Sequence, residues 1–149
     1  MKVVEDAILA IAMILLIVGG GALKQILIDS GVGRYIGEVV GGSNLSPLML
    51  AWVVAAVIRV ACGSATVAAL TAGGIAAPIV AVTGVSPELM VLATGAGSLI
   101  ISPPNDPGFW LFKEFFGLSI KETVRTWCMV ETIISVMGLI GVLVINMFI

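Results

Sequence analysis

Asn105-Asp106 stands among prolines in the stretch ISPPNDPGFW, residues 101–110, between two strongly apolar segments. Asp106 followed by Pro107 is a helix-start signal, an acidic cap before a proline at the first helical position. A second start lies in Gly63-Ser64-Ala65-Thr66, where Ser64 or Thr66 can cap a helix beginning near Val67. Each helix N-terminus presents unpaired amide donors and the equivalent of about half a positive charge, so it holds a carboxylate or other anion without a dedicated cation. The chemistry on offer is therefore anion binding beside an ionisable group.

Three charged side chains bear on that chemistry. An aspartate in a proline-broken apolar segment is costly and marks function. Helix capping alone would also account for Asp106, whereas an Asp106 that faces a cavity is a proton carrier. Arg59 lies one helical turn before Gly63 and can neutralise a substrate carboxylate or pair with Asp106 or Glu131. Glu131, four residues past Trp127, falls near an aromatic belt, which favours an interfacial place over a coupling role. Trp110, Phe112, Phe115 and Phe116 read as interfacial anchors and packing. GSAT can equally be a small-residue helix contact, and Gly19-Gly20-Gly21, Gly73-Gly74 and Gly95-Ala96-Gly97 read as close-packing surfaces or hinges. Cys62 and Cys128 form no CxxC pair, and the chain has no histidine, so both read as small packing residues and no metal site is expected.

The elements that must position these groups are set by composition. Of 149 residues 60% are hydrophobic and only 11% charged, with a mean hydropathy of +1.22, against roughly 25% charged residues in soluble domains. The chain is an all-α integral membrane protein, read as one membrane domain over residues 1–149. A net charge of −2 without a basic patch excludes a nucleic-acid partner. Apolar stretches cover residues 7–28, 46–82, 87–118 and 127–149. The N-terminal stretch is flanked by Glu5 and Asp6 and has no A-x-A-like site, so it reads as a retained span rather than a signal peptide.

A continuous helix over 46–82 would be about 55 Å long, far more than a hydrocarbon core of about 30 Å. It must turn back, and Gly63-Ser64-Ala65-Thr66 divides it into arms over 46–62 and 67–82. A re-entrant hairpin with its tip inside the membrane fits these short arms; two tilted full spans are the alternative. In 87–118, Pro103, Pro104 and Pro107 force a break between two half-helices. Non-helical backbone at membrane depth survives only against protein or a wet cavity, so the break implies a cavity. Lys113, Lys121 and Arg125 place the 113–125 side in the cytoplasm. The first span then leaves the cytoplasm, the hairpin dips in from outside, the broken span returns and the last helix exits.

The runs GSATVAALTAGGIAAPIVAVTGVSPELMVLATGAGS, NDPGFWLFKEFF and TWCMVETIISVMGLIGVLVIN resemble, in order and spacing, the C-terminal part of the gluconate permease family. The resemblance covers the chain from about residue 17 onward. It implies uptake of D-gluconate or a related sugar acid with protons across a bacterial inner membrane by a multi-pass protein. It also implies two inverted repeats, of which this chain is one half, with Gly63, Ser64, Ala65 and Thr66 as the hairpin tip and Asn105, Asp106, Pro107 and Gly108 as the broken-helix site. Arg59, Asp106 and Glu131 are the candidates for proton coupling or charge pairing. Family members are several-fold longer, so a complementary N-terminal half or a homo-oligomer is an expected partner. The family often carries a histidine where Ser102-Pro103-Pro104 stands here.

No nucleotide motif or covalent catalytic set is present, so no enzyme and no cofactor beyond a coupling proton is expected. Two other functions remain open beside the sugar-acid transporter. One is a small stand-alone homo-oligomeric channel or exporter, which the cation bias of 113–125 disfavours. The other is a non-transporting remnant or helper that binds membrane proteins through its glycine-rich faces.

Overall fold

The computed structural model describes residues 46–148 together with Val4, Ile11 and Asp29. The expected first span over 7–28, apart from Ile11, and its Gly19-Gly20-Gly21 lie outside these residues. Among the described residues every regular element is helical.

Local chemistry marks nearly every boundary. Helix α1 (Pro47–Cys62) begins with proline at its first position and ends on Gly63, whose left-handed φ of 70° lets its N–H reach Arg59 O at 2.9 Å. Helix α2 (Ala65–Thr83) follows after two residues. Ser64 caps it by accepting from Val67 N at 3.3 Å, and Gly84 closes it at φ 69°. Helix α3 (Pro87–Ser98) starts with the same device, Ser86 accepting from Leu89 N at 3.3 Å. Helix α4 (Pro107–Phe116) starts on Asp106 and ends at a left-handed Gly117. Helix α5 (Ile120–Ile145) opens on a capping box of Ser119 and Glu122, passes a π turn at Val124–Cys128 and runs on to Ile145.

Helix α1 lies at the centre, against α2, α3 and α5, and α3 also packs on α2 and α5. The core joins Leu48 and Ala51 of α1 with Ala76 and Ile79 of α2, Leu89, Met90 and Ala93 of α3, and Val142 of α5. Small residues bring these helices close. A methyl group on Gly97 would collide with the carbonyl oxygen of Trp52, and one on Gly138 would lie 2.9 Å from Ala96 Cβ. Gly73 and Gly95 meet nothing within 4 Å, so the close-packing expectation holds for Gly97 and not for them. Val57, Val91, Ile133 and Met137 point outward, an apolar exterior suited to lipid.

Two boundaries differ from the sequence reading. The second hairpin arm begins at Ala65, leaving Gly63-Ser64 as the tip, because Ser64 takes the cap position and Thr66 is already helical. At 19 residues α2 is long and apolar enough to span a membrane, whereas Pro47–Cys62 is shorter. The last helix begins at residue 120 rather than 127, because the Ser119 and Glu122 capping box starts it early; the result is a 26-residue apolar helix.

Candidate functional site

The hairpin tip and the proline break touch. A methyl group on Gly63 would sit 2.6 Å from Asn105 O, so glycine is required there both by φ and by the neighbouring backbone. Asn105 Nδ2 donates to Ala61 O at 3.3 Å, across the same contact. The break itself is a compact turn: Asp106 N donates to Pro103 O at 2.8 Å, and Trp110 Nε1 donates to Pro104 O at 2.7 Å. Ile101 is held at φ 44°, a strained conformation for a β-branched residue.

Arg59 is the hub behind this contact. It is 1% exposed. Its Nη1 donates to Gly63 O at 2.8 Å, and its Nη2 donates to Asp106 Oδ2 at 2.6 Å and to Glu131 Oε2 at 3.1 Å. One guanidinium thus ties the tip, the break and the last helix together, while its Nε has no partner among the described residues. Both pairings left open for Arg59 occur at once. Glu131, whose place after Trp127 favoured an interfacial position, pairs with Arg59. The early start of α5 carries it more than two turns into the helix, where it is buried against Arg59.

Asp106 is heavily coordinated. Besides Arg59, Ser102 Oγ donates to Oδ2 at 2.5 Å and Gly108 N donates to Oδ1 at 2.8 Å. Ser102 was not among the expected site residues, yet it is fully buried and its carbonyl accepts from Cys128 Sγ at 3.0 Å. Its position four residues before Asp106, in the Ser102-Pro103-Pro104 segment where the family often carries a histidine, is the signal that could have marked it. Cys128 is buried as expected, but Cys62 is exposed beside the tip, because α1 ends there and no described helix covers its side.

The two helix N-termini are not equivalent. At α4 the Asp106 carboxylate already occupies the cap and compensates the local positive potential. At α2 the neutral Ser64 is the cap, so the end keeps its attraction for an anion. Ser64, Ala65 and Gly108 are half-buried and Thr66 and Asn105 exposed, so Gly63, Ser64, Ala65, Thr66, Asn105, Asp106 and Gly108 form one patch whose outer side is open. The aromatic residues lie beyond it: Phe112 stacks on Trp127 at 4.7 Å, and Phe109 is buried beneath Trp110. These rings pack on one another, and Phe112, Phe115, Phe116 and Trp127 line a cavity that reaches the patch only at Gly108.

The sequence pattern described as GntP family permease matches residues 1–148. The chain is 60% identical over 147 residues to the Gnt-II system L-idonate transporter of Escherichia coli, covering 98% of this chain and 34% of the relative. It is 64% identical over 145 residues to a high-affinity gluconate transporter of the same organism, covering 97% and 33%. Against a gluconate permease of Bacillus licheniformis it is 54% identical over 146 residues, covering 97% and 33%. The chain therefore spans about a third of the length of the curated relatives it matches. No solved structure matches it.

Proposed function

The chain belongs to the GntP permease family, and from that membership we propose that it forms the C-terminal part of a secondary transporter that takes up gluconate or a related sugar acid together with protons across the bacterial inner membrane. Relatives named for gluconate and L-idonate transport support a sugar-acid substrate class. The observation that carries the site is the contact of the hairpin tip with the proline break, backed by the buried Arg59.

In this reading α1 and α2 form a re-entrant hairpin and α3 and α4 a broken span. The substrate carboxylate rests at the N-terminus of α2, where Ser64, Ala65 and Thr66 offer amide donors, and Asn105 and Gly108 face its hydroxyl groups. Arg59, with both Nη atoms engaged and 1% exposure, acts on the anion through its field rather than by direct contact. The open side of the patch receives the complementary N-terminal part, against which this part rocks to alternate access. Coupling protons ride on the carboxylates beside Arg59.

Radiolabelled gluconate uptake in cells producing this chain, with and without the remaining two-thirds of a relative's length, tests the proposal. Uptake above background only with both parts is the expected result. Uptake by the lone chain removes the need for a complementary half, and absence of uptake in both removes the sugar-acid reading.

A further inference from the structure

The group of Arg59, Asp106 and Glu131 has one cation for two carboxylates, and its members are mostly withdrawn from water. A surplus buried negative charge is unfavourable, and a single proton removes it by leaving one neutral ion pair and one neutral acid. The two carboxylates are unequal candidates for that proton. Asp106 accepts from Arg59, Ser102 Oγ and Gly108 N, and it sits at the N-terminus of α4, where the helix dipole favours its charge. Glu131 accepts only the longer bond from Arg59 Nη2, through Oε2, and its Oε1 has no hydrogen-bond donor among the described residues.

We infer that Glu131, rather than Asp106, takes up the coupling proton: water delivers it to Oε1, the carboxylate becomes an acid, and Arg59 is left paired with Asp106 alone. The inference rests on the proton-coupled reading above and assigns its proton to one atom. Among the described residues the ionisable groups around Glu131 are few. Arg59 comes from α1, Asp106 from the break and Cys128 from the preceding turn of α5. Helix α2 brings none, α3 brings only the exposed Glu88, and α4 brings the Lys113 and Glu114 pair. Protonation makes the group neutral behind the tip, so an anion at the α2 N-terminus is held more tightly. Deprotonation restores the negative surplus and repels it. Proton and sugar acid thus favour each other's binding, as a symporter requires.

Infrared difference spectra of the full chain in lipid vesicles, recorded without gluconate, test the assignment. The carbonyl band of a protonated carboxyl grows as pH falls, and E131Q is expected to lose that band. A band that persists unchanged in E131Q assigns the proton elsewhere and overturns the inference. Should the glutamine variant fail to fold, Glu131→Asp provides the second reading: the band must shift in frequency, and an unshifted band overturns the inference equally. Because gluconate is absent, the result is independent of the substrate assignment. In an assembly that transports, the half-saturating gluconate concentration of the unsubstituted protein should fall by up to about tenfold per pH unit of acidification, the limit for one linked proton. A flat profile is expected of E131Q, and a slope equal to that of the unsubstituted protein overturns the assignment.

Discussion

Arg59 and Asp106, 47 residues apart in sequence, meet at 2.6 Å between Nη2 and Oδ2, with side chains 1% and 13% exposed. The pair joins the end of one helix to the start of another, and through Nη1 it also holds the carbonyl of Gly63. One guanidinium thus links the tip to the break.

Arg59→Gln should therefore be among the most damaging single substitutions. It leaves Asp106 and Glu131 as two buried like charges without a cation, and breaking one partner out of a buried ion pair costs about 3–5 kcal/mol. Arg59→Lys should recover only part of this, because a single ammonium cannot reproduce the fork that spans Gly63 O and two carboxylates. Thermal denaturation of the detergent-purified protein measures both. Equal midpoints for the unsubstituted protein and the Arg59→Gln variant would show that the cluster contributes nothing to the fold.

Gly63 and Gly84 provide a matched pair. Their φ angles are 70° and 69°, and each ends a helix, so alanine incurs the same left-handed strain of about 1–2 kcal/mol at both. Only at Gly63 does a methyl group also strike a neighbour, the Asn105 backbone at 2.6 Å, while Gly84 meets nothing within 4 Å. G63A should destabilise clearly more than G84A and should abolish uptake, because the tip must separate from the break to admit the methyl group. Denaturation midpoints and gluconate uptake of the two variants decide the point.

Asp106→Asn separates the cap from the charge. Asparagine caps a helix about as well as aspartate, so α4 should survive. What disappears is the anionic partner of Arg59. The cation is then balanced by Glu131 alone, and the surplus negative charge that a proton would cancel is gone. Gluconate accumulation in the transporting assembly should fall to the level reached with a protonophore. Unimpaired accumulation would leave Asp106 with only its capping role.

Much of this arrangement is legible in the sequence, and the reason is local. Gly63-Ser64, Ser86-Pro87 and Asp106-Pro107 mark their own boundaries, because glycine at positive φ, a capping hydroxyl or carboxylate and proline at the first helical position act within a few residues. Arg59 near the tip was likewise visible from its spacing. Glu131 was visible as a pairing candidate for Arg59 but not in its depth, which depends on where α5 begins, and the Ser119 and Glu122 capping box lies outside the apolar run that draws the eye. Ser102 and the exposure of Cys62 follow from how three distant elements meet, which periodicity along one helix does not encode.

Ser64 and Ser86 allow the substrate site to be tested apart from stability. Both are half-buried caps, and each accepts from the amide three residues on at 3.3 Å, Val67 for one and Leu89 for the other. Alanine at either position should cost about 1 kcal/mol of stability through the lost cap. The two positions differ in what else they face. Ser64 lies at the tip against the break, while Ser86 lies at the opposite end of the hairpin's second arm, its hydroxyl engaged with Glu88 at 2.5 Å. A hydroxyl that also meets the sugar acid is worth about 0.5–1.5 kcal/mol, or roughly 2- to 13-fold in affinity. S64A should therefore raise the half-saturating gluconate concentration by that factor, while S86A, equally destabilised, should leave it unchanged. A matching rise in both variants would mean that the effect is the lost cap, and would move the substrate away from the tip.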